Sequence, residues 1–334
     1  MRKMTDVIWK PQPKQEEFML RTEYEVLYGG AAGGGKSDAL LIEALRQVHI
    51  PNYRCIIFRD TVPQLEGLIS RSREIYQRAY PKARYNINDK VWKFPSGANI
   101  FFGYMQREED KRDYQGRAFD VIMFDELTHF SYTQYMYLLS RNRPTGANTK
   151  CYIRASANPD GKGLGWVKER FVTPAPPLTP IKDMYTVYTP DGDSMQMERT
   201  RVFVPSTVFD NKELLNNDPN YLATLASLPE AERNALLYGS WDSFSGQVFL
   251  EWKNDPSHYA DGKWTHVIDP FMPPTHWKIY RGYDFGYAKP YAVGWYAVDE
   301  NGNPISIFVD ADGNEHETFI DPEYNPPEGY TNRY

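Results

Sequence analysis

Cysteine is nearly absent from this chain. Its 334 residues hold two, Cys55 and Cys151, both inside apolar strand-like runs, so a disulfide framework is excluded and both thiols read as buried. Six histidines form no ligand-spaced cluster with them, which leaves no pattern for a structural zinc site. Positive charge is not in excess either. With 38 Lys+Arg against 44 Asp+Glu the net charge is −6, so no whole-molecule field draws nucleic acid, and any DNA contact needs a local basic patch. Long apolar runs are missing as well. The N-terminal stretch MRKMTDVIWKPQPKQ carries no signal core and no segment is long enough to span a bilayer, so a soluble intracellular protein without a membrane partner is expected. What remains is ordinary: 41% hydrophobic and 25% charged residues, with length enough for two domains.

The informative stretch is 24–48, YEVLYGGAAGGGKSDALLIEALRQV. Val26 to Tyr28 predict a short strand, and Leu40, Leu41, Ala44, Leu45 and Val48 fall at helical spacing after a glycine-rich turn. Between them Gly30, Ala31, Ala32, Gly33, Gly34, Gly35, Lys36 and Ser37 fit G-x-x-x-x-G-K-[ST] in the strand–loop–helix setting that a phosphate-binding loop requires. Such a loop turns successive backbone N–H groups around an anion, and the helix N-terminus adds partial positive charge. Lys36 is placed to reach the terminal phosphates and Ser37 to ligate Mg2+. The plainer alternative is a flexible Gly/Ala loop capping a helix.

Downstream, Phe119 to Phe124 predict a buried strand ending in Asp125-Glu126. A carboxylate at the C-terminal end of a parallel strand, beside a phosphate loop, can hold a Mg2+-bound water, and Glu126 can then orient and deprotonate an attacking water. A solvated strand end would look the same in isolation. Lys150 to Ala155 predict another strand running into Ser156-Ala157-Asn158-Pro159, where a polar group such as Asn158 can sense the γ-phosphate; a plain Ser/Asn/Pro turn is the alternative.

Around these motifs the pattern predicts an α/β protein. Pro11 to Gln15 read as extended, followed by a short helical run near Phe18 to Leu20. Arg54 to Arg59 read as a buried strand, Thr61 as the N-cap of a helix opened by Pro63, and Lys90 to Tyr104 as a hairpin. Pro174 to Pro190 read as irregular, Arg201 to Pro205 as a last strand, and Asp218 to Tyr238 as two short helices broken at Pro229. This organisation predicts a P-loop ATPase domain over 1–242 with a mostly parallel sheet, a linker over 243–276 and a further unit over 277–334. In that last unit three strands are expected, 277–283, 291–298 and 304–309, followed by an acidic tail from Asp310.

With Pro13-Lys14-Gln15, Gly30 to Ser37, Tyr114 to Arg117, Asp125 to Phe130, Ser156 to Pro159, Asp210-Asn211, Gly239 to Trp241 and Tyr283 to Gly286 in this order, the chain resembles the large terminase subunit of tailed bacteriophages, the ATP-driven motor that packages viral DNA. The resemblance implies that Gln15 reads adenine, that Lys36, Ser37 and Asp125 hold Mg2+-ATP, that Glu126 acts on the water, and that Ser156 to Pro159 couple hydrolysis to DNA movement. It implies that Asp284 is the first metal-binding carboxylate of an RNase H-like nuclease domain using Mg2+ or Mn2+. The implied partners are double-stranded DNA, a portal protein, a small terminase subunit and further copies in a homo-oligomeric ring on the procapsid, in the host cytoplasm.

The sequence departs from the family in two places. Some relatives carry an arginine within the phosphate loop where Ala31 and Ala32 stand here, so the stabilising charge is sought at Arg112, Arg117, Arg141 or Arg143, or in a neighbouring subunit. The nuclease stops after its first strands, before further carboxylates, so it is expected to be incomplete: truncated, split between chains, or a short form. DNA grip is expected at Arg71, Arg73, Arg78, Lys82 and Arg84, or at Arg141, Arg143, Lys150 and Arg154. Another P-loop helicase or translocase, or a non-catalytic nucleotide-binding assembly component, are the alternative functions.

Overall fold

In this computed structural model residues 7–242, 272–284, 292–298, 304–309 and 315–319 are described. The strands that read as continuous apolar runs do so because both of their faces are covered. In β1 (Glu25–Gly30), Val26 and Tyr28 point to one face and Leu27 to the other; in β2 (Arg54–Arg59), Cys55 and Ile57 oppose Ile56 and Phe58. β6 (Val121–Phe124) divides in the same way, with Val121 and Met123 opposite Ile122 and Phe124. The first face is packed by α2 (Lys36–Ala44) and α3 (Val62–Ala79), the second by α4 (Tyr132–Leu139) and α5 (Leu164–Val167).

With β3 (Arg84–Asn86), β4 (Val91–Lys93), β5 (Asn99–Tyr104), β7 (Tyr152–Ala157), β8 (Ile181–Tyr188) and β9 (Ser194–Ser206), these strands form a nine-stranded sheet in the order β3-β4-β5-β2-β6-β7-β1-β9-β8. From β5 through β9 every neighbour is parallel; β3 and β4 at one edge and β8 at the other run antiparallel. The mostly parallel α/β architecture expected from sequence is therefore present. β1 lies between β7 and β9, so the loop after it opens among the tips of central strands.

The structure differs from the sequence reading at several elements. The segment expected to be extended before Phe18 is helical from Pro13: α1 (Pro13–Met19) takes the proline in its first turn, where a missing N–H costs nothing. Between Pro174 and Pro190 the chain is not irregular throughout. The prolines flank β8, whose residues pair antiparallel with β9 from Ile181↔Arg201 to Tyr188↔Ser194. Thr61 does sit at the N-cap of α3, but its side chain makes no cap hydrogen bond. Cys151 is only partly buried, unlike Cys55. After β9 come α6 (Lys212–Asn217), α7 (Tyr221–Ala226) and α8 (Glu230–Leu236).

The chain divides into two compact units, Met1–Ser245 and Gly246–Tyr334. In the second, β10 (Lys278–Asp284), β11 (Ala292–Val298), β12 (Pro304–Val309) and β13 (Glu315–Phe319) form an antiparallel sheet in chain order. The fourth strand corrects the expectation of a featureless tail after Asp310: His316 to Phe319 find a ladder partner in β12. Most of the expected 243–276 linker lies outside the described residues. Among the described residues no helix is long and apolar enough to cross a membrane.

Candidate active site

The glycine-rich segment is held from both sides by backbone that lies far off in sequence. Ala31 N–H donates to Ser206 O at 2.9 Å and Ala32 N–H to Leu236 O at 2.8 Å. These two amides are spent on anchoring the loop; Ala31 is fully buried, while Ala32 lines the cavity beside the loop. Gly30 likewise belongs to the ladder, opposite Ser206. Ala32, Gly33, Gly34, Gly35, Lys36, Ser37 and Asp38 line a cavity of about 220 Å³ together with Glu126 and Asn158. Gly35 caps α2 at φ 69°, a left-handed conformation, and a Cβ there would lie 2.6 Å from Gln15 Nε2, so only glycine fits. Lys36 is buried and its Nζ donates to Ala31 O at 2.5 Å, folding the ammonium back over the loop.

Asp125 stands at the tip of β6, fully buried, and side chains from three other elements meet on it. Ser37 Oγ donates to its Oδ1 at 3.1 Å, Ser156 Oγ to the same oxygen at 2.5 Å, and Arg59 Nε to Oδ2 at 2.8 Å. β2 and β7 flank β6 in parallel register, with Phe58↔Phe124 and Phe124↔Ala155, which is what brings Arg59 and Ser156 to the carboxylate. Glu126 follows in a left-handed conformation, φ 60° and ψ 64°, rare for a non-glycine and the kind of strain that functional sites retain. Its carboxylate is gripped by one residue: Asn158 N–H donates to Oε2 at 3.0 Å and Asn158 Nδ2 to Oε1 at 3.1 Å. The remaining polar atom of that amide, Asn158 Oδ1, is buried and makes no hydrogen bond.

The electrostatics follow from this crowding. Burial raises the pKa of Glu126 above its ordinary 4.5, the adjacent Asp125 charge raises it further, and Lys36, Arg59 and the Asn158 N–H pull it back. Burial lowers the pKa of Lys36, opposed by the charges of Glu126, Asp125 and Asp160. A carboxylate of raised proton affinity beside a buried cation is what a general base for water requires.

Ser37, Lys36, Asp125, Glu126 and Asn158 are thus brought together as the sequence predicts. Gln15 also reaches the loop, but its amide is engaged there: Nε2 donates to Gly35 O at 2.8 Å, and Oε1 accepts from Gln12 N at 2.9 Å. Asp284 ends β10 in the second unit. Of the four candidate arginines none contacts the loop. Arg117 stacks over Phe101, Phe119 and Tyr114, Arg141 over Tyr137, and Arg112 and Arg143 are exposed. Arg154 is 3% exposed and bonds to the carbonyls of Arg21, Glu23 and Ile153, so it cannot belong to a DNA-gripping patch. Arg71 is paired with Asp38 and Glu74. The sequence reading missed Arg59, which its position one residue before Asp60 at a strand end could have suggested. It also missed a clamp in which Gln12 Nε2 donates to Asn211 Oδ1 at 2.5 Å and Asn211 Nδ2 to Gly33 O at 2.6 Å.

The large terminase of the thermophilic bacteriophage D6E is similar to this chain in fold, with a TM-score of 0.52 at 14% identity, covering 87% of this chain and 66% of that one. The D6E protein in complex with ADP gives 0.51 at 15% identity over the same shares, and its complex with ATP-gamma-S 0.50 at 14% over 86% and 65%. This chain therefore spans slightly less than two thirds of the length of that relative. No curated protein matches the sequence. The family profile described as terminase large subunit, T4likevirus-type, N-terminal, matches residues 27–252. Over that stretch the glycine-rich loop, the Asp125-Glu126 strand tip and the Ser156–Asn158 contacts all fall, and the chain belongs to the T4likevirus-type large terminase subunit family.

Proposed function

We propose that the chain is an ATP-hydrolysing motor that translocates double-stranded viral DNA into a procapsid. The observation that carries the reading is the convergence of Ser37, Asp125, Glu126 and Asn158 on the Gly33–Gly35 cradle. The N–H groups of Gly33 to Gly35 and the start of α2 bind the phosphates, and Lys36 swings from Ala31 O onto the terminal pair. Glu126, held by both nitrogens of Asn158, accepts the proton of the attacking water, which Asn158 Oδ1 is free to orient. Ser37 Oγ and Asp125 Oδ1, 3.1 Å apart, are hard oxygen donors suited to Mg2+. When bound, Mg2+ supplies charge neutralisation on the phosphate oxygens.

Ser156 touches Asp125 and the Glu126 N–H, and Asn158 holds the base, so loss of the terminal phosphate is felt first at the tip of β7. That supports Ser156 to Pro159 as the coupling segment. The exposed Arg112 and Arg143 are the candidates to complete the site of a neighbouring copy in a ring, with a portal protein and a small terminase subunit as further partners. The second unit, with Asp284 at the end of its first strand, belongs to an RNase H-like nuclease module. Lys36→Ala and Glu126→Gln are each expected to abolish DNA-stimulated ATP hydrolysis, measured as phosphate release. Turnover at the unmodified rate in either variant refutes these roles.

A further inference from the structure

Two arginines of the first unit stack over the same pair of aromatic rings. Arg54 opens β2 and Arg117 precedes β6, and among the described residues neither makes an ion pair. Their guanidinium groups lie together over the same rings: Arg54 Cζ is 5.1 Å from the Phe101 centroid and 5.4 Å from Phe119, and Arg117 Cζ is 5.0 Å and 5.1 Å from the same two. Two like charges are thus fixed side by side on aromatic platforms, half-buried, which is costly unless an anion joins them.

The nearest buried carboxylate does not serve. Asp120 accepts from Arg54 N–H and Thr145 Oγ1 on Oδ2, and from Thr145 N–H and Thr149 Oγ1 on Oδ1, all at 2.5 to 2.8 Å. Its oxygens are filled by neutral donors. Both guanidinium groups instead line an open cavity of about 670 Å³, with Lys93 and the amides of Asn52 and Asn99 around it. Asp89 also lines the cavity, and its carboxylate accepts from Asn86 Nδ2 at 2.7 Å. Arg143 and Lys150, in the segment before β7, are both exposed.

We infer that this cavity is a phosphate-binding site, with Arg54, Arg117 and Lys93 as its cations and the backbone of duplex DNA as its ligand. The choice of DNA rests on the motor function proposed above; the phosphate chemistry does not. The site is at the opposite end of the sheet from the nucleotide loop, because Arg54 starts the strand that Arg59 ends, five residues or about 17 Å further on. The cavity is wider than a single phosphate needs and suits a run of them. Planar guanidinium groups match phosphate oxygens in pairs.

The test uses the full chain and a fluorescein-labelled duplex of random sequence, with affinity read by anisotropy across a salt series. Each phosphate contact removed is expected to flatten the plot of log K against log salt by about 0.9. Arg54→Gln and the exposed-site variant Lys93→Glu should each show this flattening; the Lys93 side chain is exposed, so its variant guards against a folding artefact. Unchanged slopes in both variants overturn the site. A second arm titrates inorganic pyrophosphate against Lys36→Ala protein, in which the nucleotide loop is disabled, and reads thermal stabilisation. If the unmodified chain binds no duplex, the motor reading fails, while stabilisation by pyrophosphate that Arg54→Gln removes keeps a phosphate site for a free anion. No stabilisation in that case overturns both.

Discussion

Asn158→Ala separates a residue that aims the catalytic base from one that holds the nucleotide. In the folded protein the Asn158 amide donates to Glu126 Oε1 at 3.1 Å while its backbone N–H donates to Oε2 at 3.0 Å. The substitution deletes the first bond and keeps the second. A hydrogen bond to a charged group contributes about 1.5–3 kcal/mol, and about 1.4 kcal/mol is tenfold in rate, so kcat for ATP should fall roughly 10- to 150-fold. The pH profile should move as well. Glu126 must be ionised to accept a proton, so activity falls as pH drops through its pKa, which burial and Asp125 already hold above 4.5. Removing a donor to the ionised form raises it further, and the acid limb of kcat should shift to higher pH. The assay is steady-state phosphate release from pH 5 to 9 at saturating ATP. A raised KM with unchanged kcat and an unmoved acid limb would refute the reasoning, since it would mean that Asn158 holds nucleotide in the ground state.

Arg170→Ala should be the costliest change away from the site. Glu25 is 2% exposed and depends on Arg170 Nε and Nη2, at 2.9 and 2.8 Å, with Tyr135 Oη as its third partner at 2.6 Å. Leaving such a carboxylate buried and unpaired costs about 3–5 kcal/mol. At roughly 2–4 °C per kcal/mol for a unit of this size, calorimetry should show Tm lower by about 6–20 °C, and a drop of under two degrees sinks the account. Gly239→Ala tests the anchoring of the phosphate loop. Gly239 has φ +70°, and a Cβ there would stand 2.8 Å from Ala31 N, against backbone that cannot swing aside. The conformation alone costs about 1–2 kcal/mol, and displacement of Ala31 should raise KM for ATP several-fold; an unchanged KM would show that the loop tolerates the shift.

The loop and its strand–helix setting were legible in the sequence because they are local. A run of apolar residues, a glycine turn and a Lys-Ser pair fall within one short stretch, and each element's pattern is imposed by its immediate neighbours. The same holds for the β6 strand that ends in Asp125-Glu126. The prolines at 174–190 misled the reading because their effect on strand pairing depends on where they sit in the ladder: Pro180 and Pro190 bracket β8 and interrupt none of its pairs. The partners of the site could not be read at all. Arg59 meets Asp125 only because β2 and β6 are neighbours in register, and Gln12 meets Asn211 across 199 residues. The N–H groups of Ala31 and Ala32 are taken by the carbonyls of Ser206 and Leu236, an anchoring that the motif alone does not show. Strand order fixes which side chains share a strand tip, and that order is settled by which faces can be buried together. The sequence determined that a phosphate loop and an acidic strand tip exist; the tertiary structure decided which groups hold them, and set Arg54 and Arg117 together over the same aromatic rings.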